Sequence, residues 1–140
     1  MRSELKILLI EDNLDDVFLI QLAIKKTGIN SSMSIINNGE EGIGCLTKLV
    51  DKKEKLPDLI LLDINLPKIT GLEILQKIKS NKFIKLIPTV IFTSSDSPYD
   101  MNSSYESGAD CYIRKPNNIH DFEKIMKSII NKTERLRLTV

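Results

Sequence analysis

The sequence predicts an α/β domain built on a five-stranded parallel sheet, with five helices divided between its two faces. Three observations carry that expectation. Five short apolar runs alternate with five longer stretches of helical spacing. The runs are apolar nearly throughout, as strands buried on both faces must be. Each run is followed by a stretch long enough to cross back over the sheet, the pattern that yields parallel strands with right-handed crossovers.

The first run is Lys6 to Ile10, closed by Glu11-Asp12. Leu14 to Lys26 follows at helical spacing and stops at Thr27-Gly28, where Gly28 can take the left-handed conformation of a C′ residue. Ser34 to Ile36 reads as the second strand, and Asn37-Asn38-Gly39 turns the chain into a helix from about Glu40 to Lys52. Lys52-Lys53-Glu54-Lys55 reads as a solvated loop before the third strand, Leu59 to Leu62, which ends in Asp63. Asn65 to Lys68 is a loop, and Gly71 opens a helix reaching about Lys79. The fourth strand, Thr89 to Phe92, is entered through Pro88 and ends in Thr93-Ser94-Ser95. A short, weakly patterned helix lies near Tyr99 to Glu106, and the fifth strand, Cys111 to Ile113, ends in Arg114-Lys115-Pro116. The last helix sets Phe122, Ile125, Met126, Ile129 and Ile130 in one core-facing stripe. One domain with a core of about 5–131 is expected, residues 132–140 being an exposed tail or an extension of that helix.

Bulk properties bound the function. The length, 140 residues, fits one domain, and 41% hydrophobic content builds a core without staples. A net charge of +1 argues against strong non-specific nucleic-acid binding, and the dispersed lysines and arginines argue against a DNA-reading module. No apolar run approaches a membrane span, and Met1 to Glu4 lead straight into a strand, leaving no room for a signal peptide. Cys45 and Cys111 lack a CxxC partner and read as small buried thiols in a reducing, cytoplasmic setting. The lone His120 reads as a surface residue, and Met101, Met126 and Tyr105 as ordinary packing.

The chemistry sits where the strands end. Glu11-Asp12, Asp63, Thr93 and Lys115 all follow apolar runs, and open parallel sheets bind ligands at the carboxyl ends of their strands. Two carboxylates about 4 Å apart repel by roughly 4 kcal/mol at an effective dielectric of 20, so a gathered set needs a proton or a cation. Oxygen-only ligation, with no His or Cys nearby, points to a hard ion, best Mg²⁺. Lys115 supplies a point charge for a phosphate and Thr93 a hydroxyl. A carboxylate that accepts phosphate is a known nucleophile, which makes Asp63 the candidate. Asp15 and Asp16, in the first turn of the first helix, read as favourable helix-dipole partners rather than metal ligands.

Glu11-Asp12, Leu62-Asp63-Ile64-Asn65-Leu66-Pro67 with Gly71, Thr93-Ser94 and Tyr112-Ile113-Arg114-Lys115-Pro116 together resemble the receiver domain of two-component response regulators. The resemblance spans nearly the whole chain. It implies the flavodoxin-like receiver fold with strand order 2-1-3-4-5. By the same resemblance Asp63 is the phosphoacceptor, Asp12 a direct metal ligand, Glu11 an acid acting through metal-bound water, and Asn65 the donor of a backbone carbonyl. Thr93 and Tyr112 match the pair that relocates on phosphorylation, and Lys115 the lysine of the pattern. The bond into Pro116 would be cis. Asn65 and Ser95 stand at the positions that tune the lifetime of the phosphoryl-aspartate. Asn13-Leu14-Asp15-Asp16 and the stretch from Leu49 to Lys55 further resemble small single-domain regulators of the bacterial phytochrome-associated type.

The resemblance implies a phosphorylation switch rather than an enzyme in the ordinary sense. A histidine kinase, of phytochrome type by the finer resemblance, donates the phosphoryl group, and Thr93 moves toward it. Tyr112 then moves inward, and the face of the fourth helix, fifth strand and fifth helix changes its affinity for a downstream protein, a second copy or a phosphotransfer partner. A haloacid-dehalogenase-type phosphatase also uses a strand-end Asp with Mg²⁺, but it wants a second Asp where Asn65 stands. An unphosphorylated interaction module would not need the acid pair, Asp63 and Lys115. The first helix carries apolar residues on more than one face, from Leu14 to Ile24, so its outer face is expected to meet a partner such as the kinase's phosphotransfer helices.

Overall fold

The structure is a computed structural model describing residues 4–52 and 55–138. Part of the charge run, Lys53 and Glu54, and the last two residues of the tail lie outside the described residues. The elements alternate as β1 (Leu5–Ile10), α1 (Leu14–Lys26), β2 (Ser31–Ile36), α2 (Gly39–Lys48), β3 (Leu59–Leu62), α3 (Gly71–Ser80), β4 (Thr89–Thr93), α4 (Pro98–Glu106), β5 (Cys111–Arg114) and α5 (Ile119–Leu138). The five strands form one sheet in the order β2-β1-β3-β4-β5, every pair parallel.

Strand residues point alternately to the two faces, so the sheet feeds two cores. Leu5, Ile7, Leu9, Leu59, Leu61, Val90 and Phe92 pack with Val17, Ile20 and Ile24 of α1 and Phe122, Met126 and Ile130 of α5. Leu8, Ile10, Ile60, Leu62 and Ile91 pack on the other face, with Leu46 of α2 and Ile74, Leu75 and Ile78 of α3. Each such side chain, fully buried, contributes roughly 1.5–3 kcal/mol. Phe92 meets Phe122 edge to face, ring centres 5.5 Å apart, which ties the middle of the sheet to α5.

Helix starts follow local chemistry. Asn13, Asn38, Thr70 and Ser97 each accept a hydrogen bond from the backbone N–H three residues on, satisfying a donor that the helix itself cannot. Gly28 ends α1 at φ +75°, as its position after Lys26 and Thr27 predicts.

The largest boundary differences from the sequence expectation are at β2 and α2. β2 starts three residues earlier, because pairing of Ser31 to Met33 with Leu5 to Ile7 rewards the backbone where the serine side chains give no signal. α2 stops at Lys48. Beyond it the bonds Leu49 N to Leu46 O, Val50 N to Thr47 O and Lys52 N to Leu49 O tighten the chain into turns, and Val50 and Leu56 tuck against the core. Of the two alternatives for the tail, helix extension holds as far as Leu138: α5 continues to that residue, with Thr133 and Glu134 buried and Arg137 reaching Asp58 at 3.9 Å. The cysteines are free but only half-buried.

Gly71 is where the fold meets the site. Its N–H donates to Ile64 O at 2.8 Å, and a Cβ there would overlap the Asp63 carbonyl oxygen and lie 2.5 Å from Ile64 Cα. These neighbours are backbone and cannot swing aside. Gly71→Ala is expected to destabilise by roughly 2–3 kcal/mol and to shift the Asp63 amide resonance, which urea unfolding and an amide NMR spectrum would check. An unchanged midpoint would mean that α3 slides on β3 without cost.

Candidate functional site

Register brings the strand ends together. Ile10 stands beside Leu62 and Thr93 beside Arg114, so the next residues, Glu11 with Asp63 and Lys115 near Thr93, share the carboxyl edge. Backbone bonds fix this edge: Glu11 N to Ile36 O at 2.9 Å, Asp63 N to Ile10 O at 3.1 Å, and Lys115 N to Thr93 O at 2.7 Å.

Carboxylate oxygens of Glu11, Asp12 and Asp63 lie within 4.8 Å of one another. Glu11 and Asp63 are buried and Asp12 is exposed. Asp12 opens onto a depression of about 420 Å³ that Asn38, Glu40, Glu41 and Lys68 also line. Lys115 Nζ sits 2.5 Å from Glu11 Oε1, 2.7 Å from Asp16 Oδ2 and 2.9 Å from Asp63 Oδ2. Asp63 Oδ1 accepts from Asn65 N at 3.1 Å, and Glu11 Oε2 accepts from Asn13 N at 3.2 Å.

Three carboxylates therefore bond one ammonium, and a fourth, Asp12, lies beside Glu11 and Asp63. Burial pushes the Glu11 carboxyl up to about 7; the Lys115 hydrogen bond opposes that and the charge on Asp63 adds to it. Burial by itself would lower Lys115, but bonds from Asp16, Glu11 and Asp63 outweigh it and hold the ammonium above its ordinary value. One lysine leaves the cluster in excess negative charge. The donors are all oxygen, with neither His nor Cys in the group, so the cluster fits a hard divalent cation.

Thr93 is fully buried, and its hydroxyl accepts from Ser95 N at 3.3 Å. Tyr112 is buried, and its hydroxyl donates to Ser95 O at 2.8 Å. Its ring thus already lies inside, without any move from an outer position. Asn65 is exposed at the start of the loop after β3. The Lys115–Pro116 bond is trans, and no cis peptide occurs among the described residues. That corrects the cis expectation: the trans isomer is favoured by about 0.5–1 kcal/mol even before proline, and Lys115 reaches its carboxylates with it.

Asp16 joins the site through Lys115, a contact its sequence position does not announce. The sequence predicts a helix-dipole partner there, and Asp16 does lie in the first turn of α1, its N–H held by Asn13 Oδ1 at 3.0 Å. Its carboxylate nonetheless binds Lys115 across 99 residues of sequence. The available signal was its spacing, four residues after Asp12, which sets both on one side of the helix start.

The metal-free site has a pH signature. The Glu11 pKa in the folded state, about 7, exceeds its ordinary 4.5, so its contribution to stability is full below about 4.5 and is lost as the pH rises through about 7. Glu11→Gln should flatten the stability difference between pH 5 and pH 8, measured by urea unfolding in a chelator; an unchanged slope would contradict the raised value.

The family described as response regulator receiver domain matches residues 7–127. Response regulator Rcp1 of Synechocystis sp. is 37% identical over 124 residues, covering 88% of this chain and 84% of that protein. The crystal structure of the phosphorylated cyanobacterial phytochrome response regulator RcpA superposes with a TM-score of 0.83 at 36% identity, covering 91% of both chains. The Mn²⁺-bound form of Rcp1 superposes at 0.79 and 37% identity, over 89% of this chain and 90% of that one. Order of strands, grouping of strand-end residues and these similarities converge: the chain belongs to the response regulator receiver domain family of two-component systems.

Proposed function

We infer that Asp63 is the phosphoacceptor of a signalling switch. The observation that carries this is a buried aspartate, bonded to Lys115 at 2.9 Å, in a cluster with an excess of negative charge. Asp12, Asp63 and the Asn65 carbonyl would hold Mg²⁺, with Glu11 acting through water. The ion would neutralise the clustered carboxylates and the charge of the incoming phosphate. That Rcp1 has a Mn²⁺-bound form and RcpA a phosphorylated one supports both parts of the reading.

The chain's own groups then divide the work. A carboxylate oxygen of Asp63 attacks phosphorus, the bond from phosphorus to the kinase histidine nitrogen breaks, and that nitrogen leaves with the electron pair and takes a proton from solvent. Lys115 keeps its charge on the new phosphate, its pKa held high by the carboxylates around it. The Thr93 hydroxyl uses only an acceptor position, toward Ser95 N, so its proton remains available for a phosphate oxygen. Asn65 and Ser95 stand at the two positions that, by the family pattern, would tune the phosphoryl lifetime. Output follows from the face of α4, β5 and α5, through a downstream protein, a second copy or onward phosphotransfer.

Labelling with acetyl phosphate, with and without Mg²⁺, and locating the phosphate by mass spectrometry tests the reading. Wild type should label in the presence of Mg²⁺, and Asp63→Asn should not. Label retained on Asp63→Asn would overturn the assignment.

The donor is a histidine kinase, and the names of Rcp1 and RcpA support one of phytochrome type. Leu14 and Phe18 stand 80% and 63% exposed on one side of α1 next to the site, an apolar pair suited to kinase helices. Phe18→Ser should slow transfer from a kinase that phosphorylates the wild type by roughly tenfold, the worth of one buried aromatic anchor of about 1.4 kcal/mol or more. Labelling by acetyl phosphate should not change. Equal loss with both donors would count against the docking role.

A further inference from the structure

One residue between β4 and α4 has every polar group engaged. Ser95 N donates to Thr93 Oγ1 at 3.3 Å. Its carbonyl accepts from the Tyr112 hydroxyl at 2.8 Å. Its own hydroxyl donates to Asp100 Oδ2 at 2.6 Å and accepts from Ser97 N at 3.3 Å. The bond to Asp100 is the shortest of the four and ends on a carboxylate, which places it in the strong, charge-assisted class.

Asp100 lies in the first turn of α4, where a carboxylate commonly reaches back to the N-cap N–H. Here the N-cap N–H, that of Ser97, goes to Ser95 Oγ, and the carboxylate holds Ser95 itself. The same helix grips Tyr112 a second time: Tyr105 Oη accepts from Tyr112 N at 3.1 Å. β5 is the edge strand of the sheet, so this N–H has no further strand to pair with. Apolar packing contributes little to locating α4, because Ser104 is its single buried residue. Polar ties to Ser95 and Tyr112 therefore set where it sits.

We propose that Asp100 is a positioning residue of the phosphorylation switch: by holding the Ser95 hydroxyl it fixes the one residue whose N–H bonds Thr93 and whose carbonyl bonds Tyr112. This rests on the reading of Asp63 as phosphoacceptor. Asp100 keeps Tyr112 buried before any phosphoryl group arrives. A later change at the Thr93 hydroxyl passes through Ser95 into the first turn of α4.

The sequence holds three tyrosines, so tyrosine-labelled protein gives three resolvable ring environments by NMR. In the full chain with Mg²⁺, Asp100→Ala and Ser95→Ala should each displace or broaden the Tyr112 signal while Tyr99 stays in place. The double variant should do no more than either single one, because both cut the same link. Asp100→Asn should keep the wild-type signal, since its amide oxygen accepts the same bond. Acetyl phosphate should return the Tyr112 signal of Asp100→Ala toward its wild-type position. The proposal is overturned if Tyr112 is unmoved in both single variants, if their effects add, or if Tyr99 shifts equally. It is also overturned if phosphorylated Asp100→Ala keeps Tyr112 displaced. Failure of acetyl phosphate to label Asp63 in the wild type would instead remove the phosphoacceptor reading, and the unphosphorylated comparison would still decide the link.

Discussion

The Lys115 ammonium, 7% exposed and within 3 Å of carboxylates on Glu11, Asp16 and Asp63, is the interaction around which the site is arranged. Removing a charge from water is costly, and a buried pair is tolerated only when geometry and hydrogen bonds compensate. Here the compensation is uneven. One cation faces three bonded carboxylates with a fourth, Asp12, beside them. The lysine offsets part of the cost of burying the carboxylates without fully neutralising the cluster. The remaining negative charge favours a hard cation and, with it, a phosphate. Structural cost and functional readiness are thus two aspects of one imbalance.

Two devices keep that imbalance in place. Parallel register sets Glu11, Asp63, Thr93 and Lys115 at one edge through backbone bonds that do not depend on the site's charges. Close backbone packing at Gly71 holds the turn that follows Asp63, where the chain must leave the sheet and enter α3. Neither device uses a side chain of the site. The site residues are therefore free to serve chemistry, which explains how a cluster of like charges survives in so small a domain.

The opposite balance holds at α4. Its sequence is polar, its apolar burial is slight, and the hydrogen bonds of Ser95, Tyr105 and Asp100 do most of the locating. Elements held by a few polar ties open more readily than those held by a packed core. The helix of the proposed output face is thus the one tied by hydrogen bonds to the loop that follows Thr93. Tyr112, already inward and bonded to Ser95 O, marks the arrangement as poised.

Element type and order were legible in the sequence, because apolar runs and helical stripes are local patterns that burial on a sheet enforces. β3 and α1 match their predicted bounds, and the strand-end positions of Glu11, Asp12, Asp63, Thr93 and Lys115 follow from those runs. Boundaries were less legible where backbone pairing, not side-chain polarity, decides, as in β2 and at the end of α2. Partners that act across the chain were not legible at all. Asp16 on Lys115, Tyr105 on Tyr112 and Asp100 on Ser95 are such contacts: Asp16 reads locally as a dipole partner, Tyr105 as ordinary packing, and Asp100 carries no local signal. A sequence encodes local period and local caps directly. Which carboxylate meets which ammonium, and whether Tyr112 lies in or out, depends on distances that exist only once the helices have docked on the sheet.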